Sequence, residues 1–226
     1  GGVEREPVLL AVGQLLRGSP EVVPGPATLR RAEAARALSI VGVSPHQIHC
    51  LDAVDQEAIF NAGNLARSLT EALATFEPDV LITHPYEGGH PDHDSAALIA
   101  RLATLQLDQE QTPSLVEMTS YHARDCQCIT GEFLALDAEC VEAFIDLSPA
   151  ERERKRNMFA AYASQKLVLS SFGSDRERFR RAPDYDFSRP PHEGKLWYEC
   201  MGWPMTGDQW RALAAECRAR REYACH

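Results

Sequence analysis

Asp79-Val-Leu-Ile-Thr-His84-Pro-Tyr-Glu-Gly-Gly-His90-Pro-Asp-His-Asp94 decides the reading of this chain. Its first five residues, Asp79–Thr83, are a short apolar, β-branched run of the kind that makes a buried parallel strand. Pro78 ends the long amphipathic stretch before it, Gln56–Phe76, which has helical spacing. The stretch that follows, roughly Ser95–Leu107, reads as the next helix. A polar loop that leaves a strand and leads into a helix lies where open α/β sheets bind ligands, beyond the carboxyl end of the strand.

Outward from this loop the pattern repeats. Residues 27–42 carry Leu29, Ala32, Ala35, Leu38 and Val41 at helical spacing, and Ile48–Leu51 reads as a short strand. Ser114–Tyr121 is expected as a strand, with Cys126–Leu136 and Val141–Leu147 as an antiparallel extension of the sheet. Ser148–Gln165 reads as a helix with Ser148 as its N-cap and Glu151 in the capping-box position. Residues 170–204, rich in Pro, Gly, Arg and aromatics, read as a long ordered loop, and Asp208–Ala219 as a last helix. Strands alternating with helices imply an α/β protein, a three-layer, Rossmann-like fold with a mostly parallel sheet. Its 226 residues suit one well-buried domain.

Composition excludes several classes. A net charge of −10 repels phosphate backbones, so nucleic acid is not an expected partner. The basic clusters 152–156 and 176–181 are interleaved with Glu and Asp, and read as a solvated helix face and a charged loop. No apolar run reaches the ~18 residues of a membrane span, and no signal-peptide pattern is present, so a cytoplasmic protein is expected. Oligomerisation is left open. The seven Cys are scattered, with Cys126-Gln127-Cys128 the one close pair, and read mostly as small core residues in a reducing compartment. No GxSxG elbow and no GxGxxG loop after a strand is found.

The chemistry concentrates in His84–Asp94, which holds three His together with Glu87, Asp92 and Asp94. Gly88-Gly89 permits a sharp turn and Pro91 stiffens the segment between His90 and His93. Imidazoles held together beside a helix N-terminus suit a zinc ligand with a neighbouring acid or base. Asp92 or Asp94 is placed to fix a His tautomer from outside the ligand shell. The plainer alternative is a polar turn with Asp94 as N-cap. His84 lines a pocket or is structural; Tyr86 donates to an oxyanion or packs the turn; His122, at a strand end, is a further pocket candidate. Trp197, Tyr198, Trp203 and Trp210 are read as packing rather than as a sugar platform. His46, His49, His192 and His226 have no partners in sequence and are read as structural or exposed.

His90-Pro-Asp-His93, after an apolar strand and opening a helix, resembles the second signature of the PIG-L (LmbE-like) N-acetylglucosaminyl deacetylases. Arg30-x-x-Glu33 before Gly42-Val43, Leu51–Asp55, and Lys155 through Ser164-Gln165 resemble further stretches of that family in the same order. The resemblance implies metal-assisted amide hydrolysis, with Zn2+ or another divalent metal. His93 would be a metal ligand. His90 would stabilise the tetrahedral intermediate or protonate the leaving amine, with Asp92 orienting it. Arg30 and Asp55 would lie near the hydroxyls of a small-molecule N-acyl amino sugar or glycoconjugate. The family's first signature, of Ala-His-Pro-Asp-Asp-Glu type, has no counterpart here, and residues 1–26 contain neither His nor Asp. The expectation is therefore a domain without its first strand and first metal motif, inactive or nearly so alone. The rivals are a non-catalytic relative that binds a sugar or a partner protein, and an amidase acting on an acylated antibiotic or lipid.

Overall fold

Pro78 marks the entry to the central layer. Before it, α2 (Ala62–Phe76) ends with Glu77 in the left-handed region, φ 45°, its N–H returned to the Leu73 carbonyl. After it comes β3 (Val80–Thr83). The computed structural model describes residues 9–11, 26–135 and 140–224. Within them β1 (Leu9–Ala11) pairs in parallel with β2 (Ile48–Cys50), with α1 (Pro26–Ser39) between them in sequence. Likewise β3 pairs in parallel with β4 (Ser114–Met118) across α3 (Pro91–Thr104). A tight hairpin of β5 (Tyr121–Arg124) and β6 (Gln127–Thr130) follows, turning on Asp125 and Cys126, both at positive φ as a type I′ turn requires.

The remaining elements are β7 (Glu142–Asp146), α4 (Pro149–Ala161), α5 (Lys166–Leu169), β8 (Arg176–Arg181), α6 (Trp197–Cys200) and α7 (Gly207–Ala224). β8 lies between β4 and β7, antiparallel to both, giving a sheet of order β3-β4-β8-β7. The α/β class expected from the alternation is what the structure shows. The parallel pairs are those joined through helices, whereas the four-stranded sheet carries one parallel pair and two antiparallel ones. The difference comes from β8. Its sequence, Arg176-Glu-Arg-Phe-Arg-Arg181, reads as a charged loop, yet it forms a strand because Arg180 finds buried carboxylates and takes that face inward.

The core lies on one side of the sheet. Leu65, Leu69 and Leu73 of α2 face Leu98, Ile99 and Leu102 of α3, and Trp210 of α7 closes over them. Burying a side chain of this size stabilises the fold by about 1.5–3 kcal/mol before entropy is counted. Apart from this cluster, α1 packs on α4. There Glu33 of α1 is buried and accepts the Ser164 N–H at 2.9 Å. The capping box of α4 is as expected: Ser148 N–H donates to Glu151 Oε2 and Glu151 N–H to Ser148 Oγ. β3 is not fully buried, since Val80 and Ile82 are 50% and 49% exposed while Leu81 faces the core. The cysteines also differ from expectation. Cys126 and Cys200 form a disulfide between the β5–β6 turn and α6, and the free Cys50, Cys128, Cys140 and Cys217 are half-buried or exposed rather than core residues.

Candidate active site

The loop leaving β3 is seated by its backbone. Gly88 takes φ 70°, and a Cβ on Gly89 would fall 1.8 Å from the Tyr121 carbonyl oxygen, so both glycines are sterically required. Asp94, fully buried, accepts the N–H groups of Glu87 and Gly88 at 3.2 and 2.9 Å. It therefore braces the turn from inside α3 and does not cap the helix. The cap is His90, whose Nδ1 accepts the Asp92 N–H at 3.1 Å, with Pro91 as first helical residue. α3 thus begins four residues earlier than the sequence suggests, and His93 projects from its first turn. Trp210 Nε1 donates to the Pro91 carbonyl and to Ser95 Oγ, tying that turn to α7.

Three imidazoles meet here. His84 and His93 stack with centroids 3.9 Å apart, and His90 lies 5.1 Å from His93. Burial drives the pKa of His84 and of His90 down to about 4 and that of His93 well below its ordinary value, so all three are neutral at pH 7. Neutral imidazole is the form that binds metal. His93 Nδ1 lies 3.1 Å from Ser120 Oγ. A proton donated from Nδ1 to that oxygen leaves the Nε2 lone pair for an ion, the arrangement common behind metal-bound His. Sequence reasoning missed Ser120 because it acts through a partner 27 residues away.

The carboxylates have separate tasks. Among the described residues one triad, Asp55, His90 and Asp92, brings ligand atoms within 4.8 Å of one another. Two of its members are already engaged. Asp92 accepts the N–H groups of Gln56 and Ala58 at 2.7 and 3.2 Å, and His90 Nδ1 is occupied by the Asp92 N–H. The neutral ring therefore carries its proton on Nε2, which faces Asp55 Oδ1 at 4.0 Å. Asp92 meets His90 through its main-chain N–H; its carboxylate anchors the segment bearing Asp55. That anchoring holds Gln56 at φ 62°, outside the usual range for a side-chain-bearing residue. Burial raises the pKa of Asp55, opposed by the nearby Arg30 charge, and raises that of Asp92 to about 6.

Asp55 Oδ1 and His84 Nδ1 are buried without a hydrogen-bond partner. Unpaired polar atoms of this kind are costly and mark a place for an ion or a water. Trp203 presents its ring to His90 at 4.9 Å. The structure thus brings together Arg30, Asp55, His84, His90, Asp92 and His93. Two other candidates lie elsewhere. The Tyr86 hydroxyl donates to the Arg189 carbonyl and its ring stacks on Trp210, so it packs the turn. His122 is fully buried beside Glu87, 3.5 Å from Oε2, and not against the other imidazoles.

Residues 8–104 match the PIG-L family, GlcNAc-PI de-N-acetylase. The matched span runs from β1 to the end of α3 and so contains the whole PIG-L-like histidine loop together with Arg30 and Asp55. No curated protein matches the chain in sequence. Two solved structures share its fold. One, described as the zinc-inhibited form of teicoplanin deacetylase Orf2, is 15% identical with a TM-score of 0.52, covering 70% of this chain and 76% of that one. The other, a triple mutant of a deacetylase in the teicoplanin biosynthetic pathway, is 14% identical with a TM-score of 0.52, covering 79% and 87%. Among the described residues no helix is long and apolar enough to cross a membrane.

Proposed function

We propose that the chain is a metal-dependent hydrolase that removes an acetyl or other acyl group from an N-acylated amino sugar or a related polar amine. The observation that carries this reading is the neutral His84–His90–His93 cluster beyond the carboxyl end of β3, with Asp55 Oδ1 and His84 Nδ1 buried and unpaired. The PIG-L match over the same residues supports it. Neutral His nitrogen and carboxylate oxygen are the donors zinc prefers. His93 Nε2, backed by Ser120, is the donor best built for an ion, with the His84 ring stacked on the His93 ring at 3.9 Å. A bound zinc or other divalent ion would polarise the acyl carbonyl and lower the pKa of a water there.

The chain's own residues do the rest. His90, fixed by the Asp92 N–H, offers its Nε2 proton to an oxygen that gains charge or to the departing amine. The carboxylate of Asp92 holds Asp55 in place. Asp55, with Arg30 near it, faces the polar hydroxyls of the sugar, and Trp203 supplies an apolar edge beside His90.

A second reading, a non-catalytic relative that binds the same sugars, is favoured by one observation. The one close triad among the described residues already has its Asp92 and His90 Nδ1 atoms in hydrogen bonds, which leaves Asp55, otherwise assigned to the sugar, as its one carboxylate for a base. Amine release from N-acetylglucosamine derivatives with zinc added separates the two, and also tests whether the 226 residues suffice. Turnover abolished in His93→Ala, together with loss of zinc by elemental analysis, upholds the enzyme. Sugar binding without amine release, unchanged in His93→Ala, selects the second reading.

A further inference from the structure

Next to His84 and His93 opens a cavity of about 780 Å³. Pockets that enclose drug-sized ligands span ~300–1,000 Å³, so the space far exceeds what an acetyl group needs. Its walls come from Met118 of β4, Tyr121 of β5, Met158 and Phe159 of α4, Leu169 of α5, and Phe172. None of these belongs to the main core cluster; all are partly exposed. The rings mark a direction: His93 to Tyr121 is 5.2 Å and Tyr121 to Phe172 6.3 Å, a line leading away from the imidazoles. The charges at the rim are largely cancelled. Lys155 pairs with Glu177 at 2.7 Å, Arg176 with Asp146 at 2.7 Å and Arg178 with Glu142 at 3.7 Å. Arg154, Glu132, Glu151 and Asp175 also line the space, but the apolar side chains, with three of the four lining cations paired, suit hydrocarbon better than a phosphate or carboxylate. Two Met side chains adapt readily to a flexible chain.

We propose that this cavity is a subsite for a linear acyl chain on the substrate nitrogen, so that the preferred substrate is an amino sugar N-acylated with a medium-length fatty chain rather than with acetyl. The inference rests on the hydrolase reading above for the position of the amide, next to His93. Each methylene buried is worth roughly a fourfold gain in affinity. With about four of its eight extra methylenes buried, N-decanoylglucosamine should therefore bind about 250-fold more tightly than N-acetylglucosamine, with N-hexanoylglucosamine between them.

The test is a titration of the full chain with these three compounds, by calorimetry or ligand-detected NMR, below the concentration at which the decanoyl compound forms micelles. Phe172→Asp and Met158→Glu are measured in parallel, each checked for folding by circular dichroism. The expected result is a stepwise gain with chain length that both variants erase, while binding of N-acetylglucosamine stays within about twofold. A flat response to chain length, or a gain that survives both substitutions in folded protein, overturns the subsite. Amine release is scored separately. Hydrolysis of all three compounds at equal efficiency leaves the hydrolase and removes the subsite; a chain-length gain without amine release keeps the subsite and removes the hydrolase.

Discussion

The histidine loop contributes side chains to two buried polar clusters, Glu87 to one and His84, His90 and His93 to the other, and the two are built differently. In one, Arg180 donates to Glu117 at 2.8 Å, to Glu87 at 3.2 Å and to the Leu134 carbonyl at 3.0 Å, while its guanidinium lies over Phe133 at 4.1 Å. Tyr185 donates to Glu117 at 2.9 Å, and Glu87 also accepts the Leu134 N–H. In the other, three imidazoles lie within ring contact without a counter-charge for each, and Asp55 Oδ1 and His84 Nδ1 have no partner. Both clusters cost solvation. The first recovers most of it through charge-assisted hydrogen bonds and locks β8 into the sheet. The second leaves part of the cost standing, as expected where an ion or a reacting group completes the set. A cation fixed among the carboxylates, more than complete hydrogen bonding, separates the scaffold from the site, since Glu87 Oε2 and Glu117 Oε1 are also buried without a partner.

The largest expected effect breaks the first cluster. Arg180→Met leaves Glu117 and Glu87 buried around an apolar side chain, and should cost about 3–5 kcal/mol in urea denaturation. A loss below about 1 kcal/mol would mean that the carboxylates find protons or water easily, and the contrast drawn above would fail.

A smaller effect is expected in the second cluster. His90→Ala should lower kcat by about 10²–10³, the scale of hydrogen-bond or general-acid assistance, while zinc content stays near that of the parent and loss of the α3 cap costs about 1 kcal/mol of stability. Loss of zinc in that variant would move His90 into the ligand shell and Asp55–His90–Asp92 would become the ion site.

The smallest effect is a slope. Burial raises the pKa of Glu117 to about 7, against the opposing pull of Arg180, from an ordinary value of 4.5. A carboxyl with a raised folded pKa binds its proton more tightly when folded. Its contribution is complete below about pH 4.5 and is lost as pH rises towards 7. Glu117→Gln should flatten the fall in stability across that window, whatever its effect on the absolute value. The buried His84 and His90 act in the opposite sense over an overlapping window, losing stability as pH falls from about 6.5 to 4, so the effect of Glu117→Gln is read as the difference between the variant and parent curves.

What was legible in the sequence follows local rules. The Ser148 cap and Glu151 box, the Pro78 stop and the β3-to-α3 passage all depend on residues a few positions apart, and all are found. So is the company of His84, His90 and His93, because one short loop carries them. β8 was not legible, since its Arg-rich pattern becomes a strand only through Glu117 and Glu87, 63 and 93 residues away from Arg180. Ser120 behind His93 was hidden for the same reason. Which of its two expected roles Tyr86 takes, and where His122 lies, was not legible, because a loop's direction, set by Asp94 from within the following helix, decides which side chains share a face.

The seating of Gly88-Gly89 bears on how the protein is made. The Gly88 carbonyl accepts the Trp197 N–H at 2.8 Å, Glu87 receives Leu134, and Gly89 lies against Tyr121. Every one of those partners is synthesised after the loop, the last of them more than a hundred residues later. On the ribosome the histidines therefore emerge long before the walls that order them. The chain up to about Trp197 must be made before the loop can take its shape, so the histidines are ordered well after their own residues appear.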